Sequence, residues 1–126
     1  MNGHIDLTII VPAYNEQENL ERLLPELILH CRENSRRIIL VDDGSKDKTV
    51  EFLKKFSDEP LLKICHHKLN KGYGAAIKTG IMACETEYLI TFDADGQHLM
   101  EDIDTLERCL DRKSTRLNSS HRIRSR

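Results

Sequence analysis

The sequence lacks any apolar run near the roughly 18–20 residues needed to cross a bilayer, and no charged-then-apolar leader opens it. These absences predict a soluble, cytoplasmic chain without a transmembrane segment, lying at most at the cytoplasmic face of a membrane in a full-length protein. Its four cysteines, Cys31, Cys65, Cys84 and Cys109, show no CxxC spacing. That excludes the common zinc sites and argues against a disulfide framework, so reduced thiols are expected. No internal repeat or low-complexity segment is present. A basic excess is missing too, since the net charge is −2, which gives no reason to expect a nucleic-acid partner. Nor is the chain long. At 126 residues it can form one small core but is short for a complete two-substrate enzyme.

The small net charge conceals an asymmetry. Residues 112–126, "RKSTRLNSSHRIRSR", hold six Lys or Arg and no acid, leaving 13 basic against 21 acidic residues in 1–111. The tail has no helical or strand periodicity and reads as a solvated, disordered end. It also resembles translated sequencing-adapter sequence rather than native chain. The expectation is a partial domain over 1–111 followed by a basic tail that takes no part in the fold.

Within 1–111 strands and helices alternate. "DLTIIVPAY" is a short apolar, β-branched run, and Asn15 with Glu18 opens a helix carrying Leu20, Leu23, Leu24, Leu27 and Ile28 at helical spacing. Pro25 should kink or interrupt that helix. "RRIILVDDGS" is a second buried strand, and Asp47 is placed to cap the helix bearing Val50, Leu53 and Phe56. "LLKICHH" is a weaker third strand. In "GYGAAIKTGIMACE" the residues Ala76, Ile77, Gly80, Ile81 and Cys84 form a small-residue stripe suited to close packing. "EYLITFDAD" is a fourth strand, and Ile103, Leu106 and Leu110 mark a fourth helix. Strands separated by helices predict an α/β, doubly wound, mostly parallel sheet.

In such sheets ligands bind beyond the carboxyl ends of the strands. Three strands end there in polar clusters, "PAYNE", "DDGSKD" and "DADGQH". Asn15 and Glu16 also fit simple helix capping, and Asp42 and Asp43 with Gly44 also fit a turn. Asp93 and Asp95 are harder to explain that way. With a period of two they share one face while Ala94 takes the other, and like charges so placed suit a hard divalent cation, Mg²⁺ or Mn²⁺. Gln97 can add a neutral oxygen. His98 reads as a surface residue, and His66 and His67 as exposed residues at a strand end. "NKGYGAA" is not a dinucleotide fingerprint, because Ile77 stands where a third glycine is required. Its glycines read as a tight turn, with amides toward the ligand edge.

"IIVPAYNE", "VDDGSKDKT", "NKGYGAA" and "FDADGQH", in this order, resemble the nucleotide-sugar-binding half of glycosyltransferase family 2. Within that family they are similar to the dolichyl- and polyprenyl-phosphate sugar synthases, although Met100 stands where that branch usually has proline. The resemblance implies a GT-A fold and an inverting, metal-dependent transfer from a nucleoside-diphosphate sugar to an acceptor such as a polyprenyl phosphate. It implies that Pro12, Tyr14 and Glu16 line the nucleoside pocket and that Val41 and Asp43 meet the base. Asp93, Ala94 and Asp95 would form the DxD-type site for diphosphate and for Mg²⁺ or Mn²⁺, with Gln97 as a further metal ligand. No catalytic base is implied within this chain, since the family carries its acceptor-side residues further downstream. Two alternatives fit the same acids: a receiver-type Mg²⁺-binding signalling module, and a non-catalytic nucleotide-binding remnant.

Overall fold

The computed structural model describes residues 6–94, 100–111 and 120–122. Its elements run β1 (Leu7–Ala13), α1 (Gln17–Glu33), β2 (Arg37–Asp43), α2 (Thr49–Leu53, continued by a 3₁₀ turn over Lys54–Phe56), β3 (Leu62–His67), α3 (Tyr73–Ala83), β4 (Tyr88–Thr91), α4 (Met100–Asp111) and β5 (Ser120–Arg122). The sheet order is β3-β2-β1-β4-β5, and the first four strands are parallel. This is the α/β, doubly wound arrangement expected from the alternation of patterns. The order also disposes of the receiver alternative. Flavodoxin-like modules place β1 between β2 and β3, whereas β1 here lies between β2 and β4.

Parallel strands covered on both faces read as continuous apolar runs, and β1 shows how the burial divides. Leu7, Ile9, Val11 and Ala13 enter a large core with α1, α2 and α4, while Ile10 enters a smaller core beneath α3. β2 splits likewise, Ile38 and Leu40 to the large side and Ile39 and Val41 to the small side. The α3 side is thin because its helix comes close: a Cβ added to Gly80 would stand 2.6 Å from Cγ2 of Ile10. The small-residue stripe is what permits that approach.

Two sequence expectations change. Pro25 lies inside α1 without interrupting it. An interior proline costs about 3 kcal/mol, but Leu20, Leu23, Leu24, Leu27, Ile28 and Cys31 are all buried on the opposite face. At about 1.5–3 kcal/mol for each large apolar side chain, packing outweighs the lost hydrogen bond. The second change concerns the tail, which the sequence leaves out of the sheet. Ser120–Arg122 pair antiparallel with β4, Leu89 opposite His121. The outer edge of β4 presents unpaired backbone groups, and extended chain of any composition can satisfy them.

Candidate functional site

The strand order reverses between β1 and β4, where an open α/β sheet leaves a crevice at its carboxyl edge. A cavity of about 440 Å³ occupies that crevice. It is lined by Pro12 and Ala13 at the end of β1, Tyr14 and Glu16 after it, Asp43 at the end of β2, Asn70 and Gly72 from the β3–α3 turn, Tyr73 and Ala76 from the start of α3, and Asp93 and Ala94 after β4. Six of the residues singled out in the sequence thus meet in one place: Pro12, Tyr14, Glu16, Asp43, Asp93 and Ala94. Val41 does not join them. It is fully buried in the smaller core with Ile39 and Ala76, because it lies two residues before Asp43 on the same face of β2 and is roofed by α3. Asp95 and Gln97, expected to hold metal, and His98 lie outside the described residues.

Asp43 is 4% exposed and accepts four hydrogen bonds through its carboxylate. His67 Nδ1 (2.7 Å) and the Lys71 amide (2.9 Å) reach Oδ1; Asn70 Nδ2 (3.0 Å) and the Gly72 amide (2.9 Å) reach Oδ2. Burial alone would raise its pKa. The His67 hydrogen bond and the two amides more than offset that, so the carboxyl is held below its usual range. The amides of the glycine turn therefore face Asp43, not the ligand edge as the sequence suggested. His67, expected to be exposed, has only 8% of its side chain accessible and also reaches Thr79 Oγ1 at 2.8 Å. Its neighbour His66 is 47% exposed and lies 3.2 Å from Asp42.

Asn15 is not a helix cap. It adopts φ +53°, a conformation that asparagine tolerates better than most residues. Its side-chain oxygen accepts from the amides of Lys46 (2.7 Å) and Asp47 (3.3 Å), and its own amide donates to Ser45 Oγ at 2.9 Å. The β1 and β2 exits are thereby tied together. Glu16 occupies the cap position of α1 without a side-chain cap bond; it accepts from Asn19 Nδ2 at 2.8 Å. Asp47 does serve α2, taking the Thr49 amide at 2.9 Å.

At the β4 side, Asp93 Oδ1 accepts from the Tyr73 hydroxyl at 3.1 Å. Tyr73, the first residue of α3, is 60% exposed at the cavity rim. The sequence gives no sign that Tyr73 and Asn70 line a site, and marks Ala76 only as a packing residue, although all three fall within "NKGYGAA". The side chains that Tyr73 and Asp93 bring to this side of the cavity end in oxygens, and among the described residues no His or Cys lines it. Such donors suit Mg²⁺ or Mn²⁺ rather than a thiophilic metal. Among the described residues no three His, Cys, Asp or Glu side chains converge as a metal cluster. No helix among them is long and apolar enough to cross a membrane.

Comparison with known proteins agrees with this geometry. Residues 8–123 match the family described as Glycosyl transferase family 2. The chain is 34% identical over 110 residues to a dolichyl-phosphate beta-glucosyltransferase of Trichomonas vaginalis, covering 81% of this chain and 34% of that protein. It is 35% identical over 109 residues to an undecaprenyl-phosphate 4-deoxy-4-formamido-L-arabinose transferase of Edwardsiella ictaluri, covering 83% of this chain and 34% of that one. It thus spans about a third of the length of these curated relatives. A mannosyltransferase from Pyrobaculum calidifontis, solved in complex with GDP-Man and Mn²⁺, superposes with TM-score 0.69 at 22% identity, covering 89% of this chain and 33% of that one. The fold is that of the GT-A glycosyltransferases, and by its sequence match the chain belongs to glycosyl transferase family 2.

Proposed function

We propose that this chain carries the donor half-site of an inverting, metal-dependent glycosyltransferase that moves a sugar from a nucleoside diphosphate to a polyprenyl phosphate. The supporting observation is the cavity at the β1/β4 switch point, where Tyr14 and Glu16 face Asp93 and Ala94. Pro12 and Tyr14 offer apolar and aromatic surface to a nucleoside, while Asp93, with Asp95 and Gln97, would hold Mg²⁺ or Mn²⁺ beside the diphosphate. The cation, when bound, supplies Lewis-acid neutralisation of charge on the departing diphosphate. Pro12, Tyr14 and Glu16 orient the donor, and the Tyr73 hydroxyl steadies Asp93. In the transfer itself, an oxygen of the acceptor phosphate forms a bond to the anomeric carbon as the bond to the nucleoside diphosphate breaks. The electron pair leaves with the diphosphate and the configuration inverts. A phosphate acceptor, with a second pKa near 6, is already ionised and needs no base from this chain. The acceptors named for the two curated relatives support the polyprenyl-phosphate reading, which places the reaction at the cytoplasmic face of a membrane.

The reading predicts that UDP or GDP binding depends on divalent cation and on both Asp93 and Asp95. Calorimetric titration with and without Mn²⁺, on the wild-type chain, Asp93→Asn and Asp95→Asn, tests it. Equal affinity under all conditions would refute the metal role. Since orienting an acceptor supplies much of the rate and this chain spans a third of its relatives, it should bind donor without transferring radiolabelled sugar to polyprenyl phosphate.

A further inference from the structure

We propose that the rim around Leu69 docks on an anionic lipid surface, Leu69 entering the headgroup layer and the lysines beside it pairing with lipid phosphates. The inference deepens the polyprenyl-phosphate reading above, because an acceptor held in a bilayer requires one face of this chain to meet that bilayer. Among the described residues five large apolar or aromatic side chains are exposed, and three of them, Tyr14, Leu69 and Tyr73, stand at the carboxyl edge of the sheet. Tyr14 and Tyr73 line the cavity, and Leu69 precedes Asn70, which lines it too. Single exposed apolar residues are ordinary, but a group of them bordered by charge marks an interaction surface. Leu69 is 74% exposed and belongs to neither core, so its side chain adds nothing to the packing of the fold.

The charge around Leu69 is of one sign. Between Glu59 and Glu85 the chain carries Lys63, Lys68, Lys71 and Lys78 and no acid, whereas residues 1–111 as a whole hold 13 basic against 21 acidic residues. Lys68 and Lys71 flank Leu69, and both are exposed. The β2–α2 turn brings two more cations. Gly44 lies directly against the backbone of Leu69 and Asn70, and Lys46 and Lys48, just beyond it, are exposed. Asp47 stands between those two, but its carboxylate accepts from the amide and hydroxyl of Thr49 at 2.9 and 2.5 Å. A leucine among lysines, with tyrosines beside it, matches the layers of a bilayer interface, phosphates outermost and acyl carbon beneath. An anionic surface attracts this rim and repels the acidic remainder of the chain, so charge selects the face that docks. A second copy is the poorer occupant, since it would set Lys68 and Lys71 against their own counterparts.

The chain has no tryptophan, so the indole of a Leu69→Trp variant reports on the rim directly. Its emission is recorded with vesicles of phosphatidylcholine and with vesicles of phosphatidylcholine and phosphatidylglycerol in equal parts, at low and at high salt. Leu29→Trp, exposed on α1 with Glu26 and Glu33 one turn away on either side, is the control. Leu69→Trp emission should move to shorter wavelength with the anionic vesicles only, and high salt should abolish the shift; Leu29→Trp should not respond. In co-sedimentation Leu69→Ser should bind the anionic vesicles about tenfold more weakly. Lys68→Glu/Lys71→Glu should lose about 25-fold or more, each lysine being worth about fivefold at such a surface. Vesicle binding that survives both variants, with no shift in Leu69→Trp, would assign the contact to the basic residues 112–126 and overturn the inference. So would an equal shift with neutral vesicles, or a dimer in light scattering without vesicles that Leu69→Ser abolishes. UDP and GDP titration with Mn²⁺ on the same wild-type preparation separates the two readings: nucleotide binding without docking refutes the docking surface alone, and docking without nucleotide binding refutes the donor site alone.

Discussion

Replacing Gly44 by alanine should destabilise the protein and displace one wall of the cavity. Gly44 holds φ at +76°, the left-handed region that costs an L residue about 1–2 kcal/mol. A Cβ built there stands 2.5 Å from both the Asn70 amide nitrogen and the Leu69 carbonyl carbon. These are backbone atoms, so no rotamer change relieves the overlap. Ordinary contact begins at 3.4 Å, so the two segments must part by the 0.9 Å that separates 3.4 from 2.5. Taken up wholly at the turn, that movement stretches the 2.9–3.0 Å bonds from Asn70, Lys71 and Gly72 to Asp43 beyond hydrogen-bond range. Losing even one bond to a charged acceptor costs about 1.5–3 kcal/mol. With the conformational strain, the expected destabilisation is about 3–5 kcal/mol.

Two further glycines serve as controls because they separate strain from overlap. Gly72 has φ +103° but nothing within 4 Å of an added Cβ, so Gly72→Ala should show strain alone, about 1–3 kcal/mol. Gly74 has neither the positive φ nor a neighbour within 4 Å, and alanine in the first turn of α3 should cost nothing. Urea denaturation followed by far-ultraviolet circular dichroism gives the three values, provided the slope with denaturant stays constant. The reasoning fails if Gly44→Ala lies within about 0.5 kcal/mol of Gly74→Ala, a difference no larger than an ordinary surface substitution produces.

Arg36, 3% exposed, donates to Asp104 Oδ1 at 2.8 Å and to Glu107 Oε1 at 2.7 Å, pinning α4 against the start of β2. Arg36→Met should cost about 2–4 kcal/mol in urea denaturation, less than a fully buried pair because Asp104 is partly solvated; a loss below about 1 kcal/mol would show that packing alone seats α4. Asp43, Asp47 and Asp104 are each pushed up by burial but pulled further down, Asp47 by hydrogen bonds alone and the other two by hydrogen bonds and charge, below the ordinary 3.8. Their contribution to stability is therefore complete above the unfolded value near 3.8 and is lost as pH falls through the lower folded values. The urea midpoint should fall below that pH, and Asp43→Asn should make the fall shallower; an unchanged slope would contradict the assignment.

The elements legible in the sequence are those whose signal is local. β1 and β2 announce themselves by apolar runs, α1 by its leucine spacing, and α3 by small residues that allow Gly80 to meet Ile10. The meeting of Tyr14, Glu16, Asp43 and Asp93 at one edge follows from parallel topology, and it too could be read in advance. Pro25 does not interrupt α1 because propensity is a local penalty while the burial that overrides it is tertiary. The burial of Val41 could not be read from the motif, which names positions without saying which way each side chain points; alternation along β2 puts Val41 below Asp43, under α3.

What could not be read was the role of each acid, because a carboxylate's role depends on its donors. The donors to Asp43 come from residues 24 to 29 positions away. Strand register delivers one of them: β2 and β3 align so that Asp42 faces His66 and Asp43 faces His67. A slip of one residue would move every side chain of β3 to the opposite face, set Lys68 or His66 against Asp43, and unmake the Thr79–His67–Asp43 chain. The hydrophobic pattern that fixes this register, with Ile64 to one side of the sheet and Cys65 to the other, therefore also fixes the cavity wall. "DD" and "HH" are each ambiguous alone. Their meaning lies in a pairing that only the packed sheet enforces.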